Sequence, residues 1–362
     1  MSANIYHGLV DKSELLNFSQ NFGVQRSYMG STLFPDRKTQ YIYAEFRRLC
    51  KNGNLPMVAK VHARDTEAHI GSRRPIESVA VEELLIKEKI NSTEELRNIF
   101  HNMRVDDVTN YVFDDFARLA ESTVARAELA KMDAISKGEY VISENGLDMN
   151  ISYKIPDENF VSTSWDEDTD ILDCFMTWSK IGRESGTEPN LAITSQDIVD
   201  KILRNKTIQK QMFGSTNVGR LPTLEEVNTL LRTHARLTIS VNEDMYGIPS
   251  ADGMTVSQGR FFPKDKISLV NIGNNGSVGV GLWGVTPAED MDNETWTEKR
   301  ESQYVTLTQW VEPDPTAVWT MAQALFFPVM PNAQGHVIAT ITDETTATPK
   351  AQDGGDDQKI EG

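Results

Sequence analysis

Between residues 105 and 136, apolar or small side chains return every three or four positions: Val108, Val112, Phe116, Leu119, Ala120, Val124, Ala127, Leu129 and Met132. Alanine is frequent there and proline absent, so the spacing predicts one helix of about 30 residues with an apolar stripe, ended by Gly138. Just beyond it, Tyr140-Val141-Ile142 and Leu147-Asp148-Met149-Asn150-Ile151 flank Asn145-Gly146, the dipeptide favoured by a two-residue hairpin turn. Upstream, alternation at Val58, Lys60 and His62, and again through Ile76-Glu77-Ser78-Val79-Ala80-Val81, predicts two strands. They read as a long hairpin with the turn-rich, basic tip Gly71-Ser72-Arg73-Arg74-Pro75. Residues 60–90 carry six basic and six acidic side chains, so both faces of such a ribbon are wet or shared. A ribbon of two strands is marginal alone and is expected to lean on another surface. Ser92 and Glu95 then have capping-box spacing ahead of the helical region.

Residues 158–310 alternate helical and strand-like pieces. A helix is expected over 169–185, a short strand at Leu191-Ala192-Ile193-Thr194, and a helix from Gln196 capped by Ser195. Thr223 and Glu226 form a further capping box ahead of Val227, Leu230 and Leu231. Strands are expected over 236–241 and 266–272, with further regular pieces at 317–327 and 337–341. The first 54 residues differ: their aromatics (Phe18, Phe22, Tyr28, Phe34, Tyr41, Tyr43, Phe46) lie among Gly and polar residues without a sustained period. That texture predicts an extended arm lying on the rest of the fold or on a neighbouring subunit. From Asp343 the chain holds six acids, two lysines and one large aliphatic residue, Ile360, too little to bury a core, so a disordered acidic tail is expected over 343–362.

The 362 residues are 39% hydrophobic and 25% charged, enough for a sizeable core and a hydrated surface. No apolar run is long enough to span a membrane, and Met1-Ser2-Ala3-Asn4-Ile5-Tyr6-His7 has no leader pattern. Two cysteines, Cys50 and Cys174, exclude a disulfide framework and fit a reducing compartment. The formal charge of −17 argues against a surface devoted to gripping phosphates. Residues 1–54 depart from it, with seven basic against four acidic residues.

Catalytic chemistry finds little support. Gly279-Val280-Gly281-Leu282-Trp283-Gly284 matches the dinucleotide fingerprint, which needs a helix to begin at its last glycine, yet Val285-Thr286-Pro287 follows. A glycine-rich strand or turn is the better reading, and no cofactor is expected. His7, His62, His69, His101, His234 and His336 contain no i, i+4 pair that would suit zinc on a helix. The acidic run Asp166-Glu167-Asp168-Thr169-Asp170 lacks the glycine-punctuated spacing of a calcium loop and suits a helix start. No nucleophile or acid–base constellation stands out, so no catalytic or metal residue is expected.

The order of parts, together with several short motifs, resembles the major capsid proteins of tailed bacteriophages with the HK97-like fold, specifically the phage lambda major capsid protein E family. The residues carrying it are Ala68-His69-Ile70-Gly71-Ser72-Arg73, Ala134-Ile135-Ser136-Lys137-Gly138-Glu139-Tyr140 and the Asn145-Gly146 hairpin. Also similar are Asn190-Leu191-Ala192-Ile193-Thr194-Ser195, Phe262-Pro263-Lys264-Asp265-Lys266-Ile267-Ser268-Leu269-Val270 and Gly281-Leu282-Trp283-Gly284-Val285-Thr286-Pro287-Ala288-Glu289. The resemblance implies an α+β fold with an N-arm (1–55), an E-loop (56–90) and a P-domain with a spine helix (91–155). It further implies a stretch that is mostly A-domain (156–310) and a return to the P-domain with terminal strands (311–342). It implies self-assembly into pentamers and hexamers of an icosahedral virion shell, built in the bacterial host cytoplasm around double-stranded DNA without sequence-specific binding. Portal, scaffold and decoration proteins would be partners. Contact between subunits is expected at Gly71, Ser72, Arg73 and Arg74. Two other readings are an encapsulin-like nanocompartment shell, which would enclose protein cargo, and a nucleotide-binding enzyme built on residues 278–284.

Overall fold

The computed structural model describes residues 26–40, 43–49, 58, 76–82, 84–92, 105–144, 146–215, 219–250, 255–273, 275–290, 298–302, 304–314 and 316–342. After a short helix, α1 (Met29–Leu33), the alanine-rich stretch forms the long helix α2 (Val105–Lys137). Gly138 ends α2 in the left-handed region, with φ of +69°. A two-stranded hairpin follows, β5 (Glu139–Glu144) and β6 (Leu147–Ser152), in which Glu144 pairs with Leu147 and Gly146 turns at φ +79°. Both the long helix and the tight turn are as the sequence predicts.

The larger sheet is organised by β16 (Thr316–Val329). Its Val318–Phe326 portion pairs with β4 (Leu84–Ser92), while β15 (Val305–Pro313) and β13 (Val280–Gly284) pair with Thr316–Gln323 and Leu325–Val329. Because Leu325 and Phe326 bond to both β4 and β13, these two lie on opposite edges of β16, and β15 and β13 follow one another along one edge. β14 (Glu298–Ser302) extends the sheet beside β15, and β1 (Asp36–Lys38) runs parallel to β13. Helix α2 lies across this sheet, packing Phe116, Leu119 and Ala127 into a core with Leu84, Val318, Ala322, Ala324 and Phe326. Full burial of one such phenylalanine contributes about 1.5–3 kcal/mol.

The second sheet has the order β7 (Phe160–Ser164), β17 (Val337–Thr342), β12 (Lys266–Val270), β8 (Leu191–Thr194), β9 (Thr238–Val241). Helices α3 (Ile171–Glu184), α4 (Gln196–Arg204), α5 (Lys206–Phe213) and α6 (Leu224–His234) pack on it through Phe175, Trp178, Ile198, Ile202, Ile208 and Leu231. Two of their starts, at Ser195 and Thr223, follow the expected capping chemistry. Asp170 accepts from the Asp173 amide, Ser195 from Ile198, and Thr223 and Glu226 form the reciprocal box. Thr223→Ala is therefore expected to cost about 1 kcal/mol, read as a shift of the urea midpoint; an unchanged midpoint would show that the cap contributes nothing. Asn228 of α6 reaches back to the edge strand, accepting from the Ile239 amide at 2.7 Å and donating to its carbonyl at 3.3 Å. An amide side chain thus covers part of an edge that would otherwise invite pairing.

The two sheets meet at the end of α2. Helix ends leave carbonyls without partners, and here strand β12 supplies donors: the Ser268 hydroxyl to Ile135 O at 2.9 Å and Lys266 Nζ to Ser136 O at 3.1 Å. Burial pulls the Lys266 ammonium below its ordinary value. Around this joint Met132, Ala134 and Ile135 share a core with Phe34, Phe261, Phe262 and Met330.

Two expectations change, and a third lies largely outside the described residues. β3 (Ile76–Glu82) is a strand as predicted and pairs with β2 (Tyr43–Leu49); its expected pairing with residues 58–62 is not among the described contacts. Of that expected strand only Val58 falls among the described residues, and it lies in no strand. Alternation identifies a strand and carries no information about which segment it pairs with. The supposedly aperiodic amino-terminal stretch contains α1, β1 and β2, and Ser92 ends β4 paired with Val318. A further hairpin, β10 (Met245–Pro249) with β11 (Val256–Arg260), was not legible in the pattern.

Candidate functional site

The described part of the amino-terminal segment crosses the carboxyl-terminal half of α2. Its contacts run residue by residue. Tyr28 stacks edge-on against Phe261 with ring centroids 5.5 Å apart. The Gly30 amide donates to Glu128 Oε1 at 2.7 Å, and Lys131 Nζ donates to Asp36 Oδ1 at 2.9 Å. The Leu33 carbonyl accepts from the Val278 and Gly279 amides, and Thr39 donates to the Trp283 carbonyl. Lys38 pairs with Glu289, which closes the segment onto the chain after β13.

Charged groups inside this joint are the unusual part. Glu128 is 1% exposed and Lys131 2%, within a turn of each other on α2. Burial pushes the Glu128 carboxyl up to about 7, an effect opposed by Lys131 and the Gly30 amide and reinforced by Asp244 and Asp36. One turn on, burial also raises Asp133, with Lys137 bonded to it at 2.8 Å pulling the other way. The apolar spacing of α2 marks Ala127 and Met132 but not these charges, because this half of the helix is covered from more than one side. The only signal in the sequence was a Glu and a Lys three positions apart inside an alanine-rich run.

The fingerprint glycines belong to the same joint. Val280–Gly284 is strand β13, as the glycine-rich strand reading expected, and the chain continues into a four-residue helix, α7 (Pro287–Asp290). A Cβ on Gly279 would stand 2.1 Å from the Val329 carbonyl oxygen and 2.5 Å from the Phe34 ring. On Gly281 it would meet Asp36 Oδ1 at 2.7 Å. These glycines let the amino-terminal segment and β16 approach closely. Gly279→Ala is expected to cost about 1–3 kcal/mol through overpacking against backbone, measured by chemical denaturation; wild-type stability would show that the segment is not held this closely.

A second feature lies on the other side of α2. A groove of about 480 Å³ runs between β4, α2 and the β5–β6 hairpin, with Leu84, Ile86, Ile142 and Leu147 on its walls and Lys87, Glu88, Arg126 and Glu144 at its rim. Arg126 bonds Glu144 at 3.0 Å, and Ser122 donates to Glu88.

Gly71, Ser72, Arg73 and Arg74, the expected contact residues, lie outside the described residues, as do His62, His69 and the tail from residue 343. The acidic run resolves into local structure: Asp166 accepts from the Thr169 hydroxyl at 2.6 Å and from the Asp168 amide, bonds that hold it below its ordinary value. His336 is 3% exposed, and burial pulls it down to about 4, so it is neutral near pH 7.

The sequence profile of the phage major capsid protein E family matches residues 14–341. Among solved structures, the fold is similar to a protein described as a prophage capsid protein from Escherichia coli CFT073, at a TM-score of 0.56 and 15% identity over 92% of this chain and 99% of that one. It is also similar to a phage-related protein of Bordetella bronchiseptica RB50, at a TM-score of 0.51 and 11% identity over 91% and 97%. No curated protein sequence matches.

Proposed function

The chain belongs to the phage major capsid protein E family and has the HK97-like capsid fold, and from that premise we propose how its parts serve as a shell subunit. It is a structural capsid protein of a tailed phage that assembles with itself into the virion shell. The observation that carries this is the family match across residues 14–341. In the finer reading, residues 1–55 act as the N-arm and 56–90 as the E-loop. The long helix and the β5–β6 hairpin within 91–155 form the spine of a P-domain to which 311–342 return. Residues 156–310 are mostly A-domain. Pentamers and hexamers close into an icosahedral shell in the host cytoplasm around double-stranded DNA, held without base recognition. Portal and scaffold proteins are the expected assembly partners, with a decoration protein as a further one. Many modest contacts repeated around closed rings stabilise such a shell while each remains correctable. The subunit is inert as a catalyst.

Negative-stain microscopy of the expressed protein tests this directly: rings, tubes or shells are expected, and a dispersed monomer at high concentration would sink it. Nucleic acid inside purified particles separates a genome shell from a cargo-enclosing nanocompartment.

The finer contact proposal is that the tip Gly71-Ser72-Arg73-Arg74 reaches a neighbouring acidic subunit. An exposed ion pair contributes only about 0–1 kcal/mol, but the same loss at every equivalent contact moves the assembly threshold far more than it moves monomer stability. Reversing both charges, Arg73→Glu with Arg74→Glu, is expected to leave the circular dichroism spectrum unchanged and to depress assembly measured by light scattering, with the defect eased by salt. Normal assembly of the double variant would remove the tip from the interface.

A further inference from the structure

Glu128 sits where one side chain governs whether the stretch before β1 stays on the body. Its carboxyl group fills the space that a side chain at residue 30 would need: a Cβ on Gly30 would stand 2.5 Å from both of its oxygens. Oε1 accepts the Gly30 amide at 2.7 Å, while the buried Oε2 has no hydrogen-bond partner. The charged and titratable groups facing it come from every element packed there. They are Lys131 on α2 itself, Asp36 on β1, Asp244 on the loop before β10, and Tyr28 at the start of α1. Lys131 is already bonded to Asp36, so its charge is divided between two carboxyl groups, with Asp244 adding a third acid.

A carboxylate in this setting keeps one oxygen unsatisfied in a dry interior, which is costly; a neutral carboxyl keeps the Gly30 bond and loses the charge. From these contacts we propose that Glu128 is a proton-operated latch on the amino-terminal segment. The neutral carboxyl holds Tyr28 and α1 against α2. Loss of the proton from the carboxyl to solvent loosens residues 26–33, since the carboxylate recovers hydration only if its cover lifts. Pairing of β1 with β13 and the bond of Lys131 to Asp36 keep residues 36–38 in place throughout. The segment's freedom is thereby set by pH, independently of any contact with another subunit.

The sign follows from linkage. The carboxyl in the closed state is pushed up to about 7 from an ordinary 4.5. Closure is therefore fully favoured below the ordinary value and is lost as pH rises towards and through about 7. Hydrogen–deuterium exchange on the full chain, corrected for intrinsic rates, reads this at the amides of residues 29–34. Protection in the wild type is expected to fall by up to about tenfold per pH unit between about pH 5 and pH 7, then to level off. Glu128→Gln, neutral at every pH, is expected to give a flat profile. Asp36→Asn removes an anion and frees Lys131 for Glu128, so its profile is expected to level off at lower pH. A wild-type profile as flat as that of Glu128→Gln overturns the proposal, as does a parallel loss of protection in β16, which would make the opening global. Should Glu128→Gln fail to fold, an Asp36→Asn profile that superimposes on the wild type overturns it equally.

Discussion

Phe326→Ala is expected to destabilise the fold by about 3–5 kcal/mol, the cost of deleting a large ring from a site with no room to collapse. Phe326 is fully buried, with its ring centroid 4.6 Å from that of Trp283. It pairs with Leu84 on one edge of β16 and with Trp283 on the other, and its ring lies 5.5 Å from Lys131 Nζ of α2. Removing it leaves a cavity where three strands and the long helix converge, so the loss is not confined to one strand. Chemical denaturation gives the cost, and light scattering tells whether any folded variant still assembles. A cost below about 1 kcal/mol would mean that this core rearranges freely, contrary to the packing described.

Lys131→Met comes next in size. Methionine matches the volume of the aliphatic stem and deletes only the charge, which lies between Asp36 and Glu128 and 5.5 Å above the Phe326 ring. Removing one member of a buried ionic set leaves its partners uncompensated, which typically costs about 3–5 kcal/mol. The partly exposed Asp36 recovers some hydration, so the buried Glu128 carries most of the effect. The cost depends on pH in a definite direction. At pH 5 Glu128 holds its proton and has little need of the cation; above about 7 it is ionised and does. Denaturant midpoints of variant and wild type should therefore converge in acid and diverge in mild alkali. A gap of constant size from acid to mild alkali would show that Asp36 alone, and not Glu128, is the partner that matters.

These two side chains divide along the line between what local pattern reveals and what it hides. The apolar stripe of α2 was readable from Phe116 through Met132, and the caps at Ser195 and Thr223 were readable from residues within a few positions of each other. Glu128 and Lys131 were not, because a charged residue on a helix is ordinarily solvated and nothing nearby says that a distant segment will cover it. Gly30 lies 98 residues from Glu128, and Asp36 lies 95 from Lys131. The expected intersubunit contact at Gly71, Ser72, Arg73 and Arg74 rests on the family resemblance and stays with the assembly experiment. The glycines at 279, 281 and 284 looked like a phosphate-binding turn when read as letters. Their packing against Phe34, Asp36 and Val329 explains Gly279 and Gly281 as points of close backbone approach.

Short-range chemistry thus sufficed for the long helix, its glycine stop, the Asn145-Gly146 turn and the helix caps, since each depends on neighbours a few residues apart. The order of those elements along the chain was enough to recognise the capsid family. Tertiary structure alone chose β2 as a partner of β3, placed β4 and β13 on opposite edges of β16, and buried Glu128 beneath the amino-terminal segment. Pairing partners and burial are set by contacts between residues far apart in sequence, and no periodicity records which distant surface will arrive.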